Sequence, residues 1–126
     1  MAFETKRNDV TAFTQGAWVE IMGGQFRIAR AGNPDYEKAL EASGYRKKEE
    51  PEEKMAALYQ AICTGILKDW KDVTANGEPL PYSVENGVQV LIENPDLSGR
   101  ILAEANDLEN YRKQDVVKQA KKPANT

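Results

Sequence analysis

Residues 17–30, AWVEIMGGQFRIAR, decide the fold. Two β-prone runs flank Gly23-Gly24, and glycine at both central positions of a two-residue turn accepts the positive φ that primed hairpin turns need. Folding the runs about that pair sets Met22 opposite Gln25, Ile21 opposite Phe26, Glu20 opposite Arg27 and Val19 opposite Ile28. Val19, Ile21, Phe26 and Ile28 then share one face. Glu20 and Arg27 meet on the other, a cross-strand pair worth about 0.2–1 kcal/mol. A lone hairpin is marginal in water, so its apolar face needs a later segment, most simply a helix, to cover it. Trp18 falls on the polar face, where it either covers the hairpin edge or meets a partner. Met22, expected on the same outer surface, is the second candidate contact.

The rest of the chain reads as helices. Asn33-Pro34-Asp35 is a helix start, with Asn33 as N-cap, Pro34 at the first position and Asp35 in the first turn. Tyr36, Ala39 and Leu40 follow at helical spacing until Ser43-Gly44. Residues 45–54, YRKKEEPEEK, form a charge-dense connector of mixed sign. From Pro51 to Trp70, the residues Met55, Leu58, Tyr59, Ile62, Ile66 and Trp70 recur three or four apart, which predicts one long central helix. Cys63 and Leu67 widen its apolar face. A polar corner then holds Asn76-Gly77, Pro79 and Pro81, and Ser83 caps a helix carrying Val84, Val88 and Leu91. Asn94-Pro95-Asp96 repeats the earlier start and opens a last helix with Leu97, Ile101, Ala105, Leu108 and Tyr111, extended by Val116. The expected fold is α+β and predominantly α, an N-terminal β-hairpin packed on a bundle of about four helices. It forms a single domain over 1–126, with 1–14 and 119–126 as flexible tails.

Composition narrows the chemistry. With 17 basic and 20 acidic residues the net charge is −3, which argues against the concentrated positive charge of a nucleic-acid binder. No apolar run approaches the roughly 20 residues that a membrane-spanning helix needs, and the first ten residues lack the apolar core of a signal peptide. Neither nucleic acid nor membrane is an expected partner. The chain has no histidine and one cysteine, Cys63. Ser-His and Cys-His nucleophile pairs, histidine-based zinc sites and an intramolecular disulfide are therefore excluded. Gly23-Gly24 has no phosphate-loop context, and Glu49, Glu50, Glu52 and Glu53 are interleaved with lysines as on a solvated surface. Asp69 and Asp72 flank Trp70 and would ligate a metal only weakly. No catalytic residue, cofactor-binding residue or metal site is expected, and the protein reads as a non-enzyme.

Two ordered stretches carry a family resemblance. Arg30-Ala31-Gly32-Asn33-Pro34-Asp35-Tyr36 follows the hairpin; later come Trp70, Asp72-Val73, Gly77 and Leu80-Pro81-Tyr82-Ser83 before an amphipathic helix. Together with the closing helix, this order resembles the tail assembly chaperones of long-tailed bacteriophages, over most of residues 17–112. The structural fingerprint of the resemblance is Asn33, Tyr36, Trp70, Gly77, Pro81, Tyr82 and Ser83; the connector 45–54 matches poorly. The resemblance implies a chaperone of the host-cell cytoplasm, absent from the mature virion. Such a protein binds and solubilises the tape measure protein during tail morphogenesis and self-associates as a homo-oligomer, a ring or filament. It also implies a longer form made by programmed frameshifting, which recruits the tail-tube protein, and Lys121-Lys122 fits a slippery codon pair. The rival reading is a structural virion component, such as a head–tail joining or tail protein.

Overall fold

The hairpin forms, with its turn one residue earlier than the glycine pair suggests. The computed structural model describes residues 2–112. Strands β1 (Ala17–Ile21) and β2 (Gly24–Ile28) pair antiparallel, with Val19 opposite Phe26 and Ile21 opposite Gly24. The turn is Met22-Gly23, at φ 51° and 88°. Gly24 joins the strand because Phe26 lies over it: a Cβ there would sit 2.9 Å from the Phe26 ring. Moving the turn by one residue shifts each pairing by two, so the inward set is unchanged while the outward partners change. Trp18, not Glu20, lies opposite Arg27, and Glu20 instead accepts a 3.1 Å hydrogen bond from Gln25.

Asn33 opens α2 (Pro34–Ala42) as expected, its Oδ1 accepting from the Tyr36 amide at 3.1 Å. Its Nδ2 donates to the carbonyls of Arg30 (2.6 Å) and Gly65 (3.0 Å), so a single buried amide joins the start of α2 to the end of the next helix. That helix, α3 (Pro51–Gly65), is five residues shorter than its periodicity predicts, and Trp70 is not in it. Residues Leu67–Lys71 form β3, which adds to β2 and completes a three-stranded sheet in the order β1-β2-β3. The register breaks between Arg27 and Ile28, leaving Lys68 as the extra residue of a bulge. Leu67 and Trp70 therefore both turn into the core, although alternation would separate them. Their spacing of three imitates a helix.

The corner after β3 is also not a simple helix-to-helix connection. It holds a small hairpin, β4 (Thr74–Ala75) and β5 (Glu78–Pro79), turning through Asn76 and Gly77 at φ 54° and 79°. The indole N–H of Trp70 donates to the Leu80 carbonyl at 2.7 Å, and its ring stands edge-on to Phe26 and Tyr82. Tyr82 shares its hydroxyl proton between the carbonyls of Cys63 and Leu67, one on each side of the α3-to-β3 junction. Ser83 caps α4 (Val84–Glu93), accepting from the Asn86 amide at 3.0 Å. Asn94 makes no side-chain cap for α5 (Pro95–Ala105); its Nδ2 instead donates back to Val90 and closes α4.

The last helix ends at Ala105, and Leu108–Tyr111 continues as a 3-10 turn. Val116 and the tail at 119–126 lie outside the described residues. Within the stretch expected as an N-terminal tail, α1 (Val10–Gln15) forms with Asp9 as its cap. It is held by Tyr111, whose carbonyl accepts from the Asp9 amide, whose ring meets Phe13 edge-on, and whose hydroxyl donates to the Ile28 carbonyl at 3.0 Å. Helices α3, α4 and α5 cover the inner face of the sheet, with Ile62, Ile66, Leu91 and Ile101 fully buried between them.

Three consequences are measurable by urea unfolding or thermal melts. Trp70→Ala should lower stability by roughly 3–5 kcal/mol, because the ring is 5 % exposed. Gly65→Ala should cost at least about 1–3 kcal/mol, since its Cβ would lie 2.6 Å from the Tyr36 nitrogen and force α2 and α3 apart. Burial pushes Cys63 from 9.0 and Tyr111 from 10.0 up to about 12, and raises Tyr82 as well. These groups ionise first in the unfolded chain, so their contribution is fully present below pH 9 and is lost as pH rises from 9 towards about 12. Stability should fall across that window by up to about 1.4 kcal/mol per pH unit and group, lowering the melting temperature with it, and Tyr111→Phe should flatten the part above pH 10.

Candidate functional site

The small hairpin, the β1–β2 turn and α4 enclose a cleft of about 630 Å³. Its position follows from the corner chemistry. Asn76-Gly77 folds β4 onto β5, and the Leu80 amide returns to the Val73 carbonyl at 2.9 Å. The bond from the Trp70 indole to Leu80 pins the far side, and Asn86 Nδ2 donates to the Pro81 carbonyl at 3.0 Å. These bonds fix the base of the hairpin beside α4.

One wall is a single stripe of α4: Asn86, Gln89, Val90 and Glu93, at the i, i+3, i+4 and i+7 positions that share a helix face. Ile21, Phe26 and Leu97 form the floor and belong to the core, whereas Val73, Leu80 and Val90 are half-buried. Met22 stands at the lip, 60 % exposed. The rim carries the carboxylates of Asp72, Glu93 and Asp96, and no lysine or arginine among the described residues lines the cleft. Backbone strain gathers at the same place. Met22, Asp72 and Asn76 are the non-glycine residues with positive φ among those described, at 51°, 59° and 54°, and all three line the cleft. Such conformations cost on the order of 1–3 kcal/mol each and cluster at sites that bind.

The rim acids do not converge on a point. Among the described residues no group of three histidines, cysteines or carboxylates could hold a metal ion. Asp69 accepts from the Trp70 amide and sits opposite Arg27 on the outer face of the sheet, away from Asp72 in the cleft. Cys63 is buried, and the same burial that raises its thiol to about 12 disfavours a reactive thiolate.

The structure separates the two contact candidates. Met22 enters the cleft, while Trp18, 42 % exposed, lies on the opposite face of the sheet beneath the Lys71 ammonium, 4.4 Å from the ring centre. Of the fingerprint residues, Asn33 and Tyr36 build the α2–α3 junction. Trp70, Pro81, Tyr82 and Ser83 build the support behind the cleft, and Gly77 completes the turn of the small hairpin. Sequence reasoning missed Val73, Leu80, Val90, Glu93 and Asp96. A signal existed for Val90, which is apolar yet off the stripe of Val84, Val88 and Leu91. Asp72, expected only as a weak metal ligand beside Trp70, is set at the rim by its left-handed backbone, at φ 59°.

The family described as YdaY prophage protein matches residues 27–122. Protein YdaY of Escherichia coli (strain K12) is 42 % identical over 60 residues, covering 42 % of this chain and 50 % of that protein. The chain thus spans about half the length of this curated relative. No solved structure matches the chain. The family match begins at the end of β2, so it takes in the small hairpin and α4 but not Met22 and the β1–β2 turn, and the chain belongs to the YdaY prophage protein family.

Proposed function

We propose that this prophage protein is a tail assembly chaperone, a non-enzyme that binds the tape measure protein and keeps it soluble while the tail is built. The observation that carries the reading is the cleft, where Met22, Val73, Leu80 and Val90 offer apolar surface that no other part of the described chain covers. Surface of this kind suits a long, amphipathic, aggregation-prone partner better than a small substrate, because it grips a hydrophobic stripe without chemistry. The ordered motifs of residues 30–36 and 70–83 support the same assignment by resemblance, and membership of a prophage protein family supports a phage origin. In this reading the protein acts in the host cytoplasm, self-associates, and is left out of the finished particle. A longer frameshifted form would bring in the tail-tube protein.

Self-association matters physically because one cleft covers little of a long helix. Several linked copies raise the effective concentration of each successive contact, so weak grips sum to a stable coat. Co-expression should bring the tape measure protein into the soluble fraction with this chain, and light scattering should show mass rising with concentration. A strict monomer that leaves the tape measure protein in the pellet would overturn the assignment. Mass spectrometry of mature particles separates it from the virion-component reading, which requires the protein to be present there.

A further inference from the structure

The geometry points to an amphipathic helix flanked by lysine or arginine as the occupant of the cleft between α4 and the β4–β5 hairpin, and this inference rests on the chaperone reading above. Three features select that ligand. First, the charge is one-sided. Asp72, Glu93 and Asp96 rim the cleft and among the described residues no cation lines it, so a basic flank is attracted and an acidic one repelled. The nearby Lys71 ammonium sits over the Trp18 ring on the outer face of the sheet.

Second, the surface has the layout that a helix uses. The α4 wall presents Asn86, Gln89, Val90 and Glu93 on one helix face, and the rows Asn86–Val90 and Gln89–Glu93 leave a groove in which a second helix can set its own residues. Val73 and Leu80 on the facing hairpin receive the other side of the occupant's stripe, and Met22 at the lip can adapt to its side chains. Third, the polar groups along the α4 wall are already engaged. Gln89 Nε2 donates to Glu93 at 3.1 Å, Asn86 Nδ2 to Pro81 and Asn94 Nδ2 to Val90. A helix satisfies its own backbone, so it can occupy such a surface without needing those donors; an extended strand would arrive with unpaired amides.

The test uses two fluorescent peptides of about 20 residues, each with leucines repeating every three or four positions, one flanked by lysines and the other by glutamates. The lysine peptide should bind the native protein and weaken as salt rises, and the glutamate peptide should bind on the order of tenfold more weakly. The double variant Glu93→Lys/Asp96→Lys should invert that preference, and Met22→Gln should weaken the lysine peptide several-fold. Glu49→Lys/Glu50→Lys changes the net charge equally but lies off the cleft, and should bind as the native protein does. Thermal melts check that each variant is folded.

Equal binding of the two peptides, or a folded double reversal that binds as the native protein does, overturns the inference. So does a double reversal that abolishes self-association and leaves peptide binding unchanged, which would assign the cleft to a contact between copies. The two readings fail separately. If the tape measure protein co-purifies equally with the double reversal, the cleft assignment falls and the chaperone survives. If the lysine peptide binds in the cleft but the native protein never retains the tape measure protein, the chaperone reading falls instead.

Discussion

Everything else in the fold is built around the segment where the chain leaves β2. In six residues, Ile28 to Asn33, the backbone and one side chain reach four other parts of the molecule. The Ile28 carbonyl takes the Tyr111 hydroxyl, Ala29 N–H goes to Ile66, Arg30 N–H to Phe13 and Ala31 N–H to Ala105. Asn33 then closes on Gly65. The ends of α1, α3, α5 and the final 3-10 turn are therefore positioned by hydrogen bonds to a single strand exit. Leaving any of these groups buried and unpaired would cost about 1–3 kcal/mol, so none of the elements can move away alone. Two helix contacts need glycine: Gly65 lets α2 come down on α3, and Gly87 lets α4 come within reach of Cys63.

A second knot fixes the other end of the sheet. Phe26, Trp70 and Tyr82 stack edge to face, and the two polar tips that buried aromatics must satisfy are spent on backbone carbonyls. The Tyr82 hydroxyl reaches both Cys63 and Leu67, which brackets the residues where α3 stops and β3 begins. This junction is a place where propensity is ambiguous, since Ile66, Leu67 and Trp70 fit a helix face as well as a strand. The tyrosine and the pairing with β2 decide it.

That ambiguity marks the limit of what the residues alone reveal. The hairpin, the Asn33 and Ser83 caps and most of the apolar sets of α3, α4 and α5 were legible because each depends on neighbours a few positions away; Met55 and Leu108, which share that spacing, lie beyond the reach of the core and are exposed. The inward face of the hairpin survived a misplaced turn, since a one-residue shift re-pairs the strands by two and preserves parity. Trp70 was correctly expected in the core but on the wrong element, because a bulge at Lys68 gives a strand the spacing of a helix. The helix α1 escaped notice because its stability comes from Phe13 meeting Tyr111, almost a hundred residues on. Of the cleft, only Met22 was anticipated. Its other surfaces are set by how β3, the small hairpin and α4 converge, which no local pattern encodes.

The strain around the cleft has a physical consequence. Val73, Leu80 and Val90 would gain roughly 25 cal/mol for each Å² removed from water if the hairpin folded down onto α4. They remain half-buried because the bonds from Trp70 to Leu80 and from Leu80 to Val73 hold the hairpin at its base. The left-handed backbone at Met22, Asp72 and Asn76 turns the three loops outward at the same rim. The folding energy of the aromatic knot thus offsets both the strain and the exposed apolar surface. The cleft is consequently open before any occupant arrives, and a partner entering it loses little free energy to rearrangement. The residues that look like a binding fingerprint in the sequence, Trp70, Pro81, Tyr82 and Ser83, act one layer back: they keep the surface in front of them from closing.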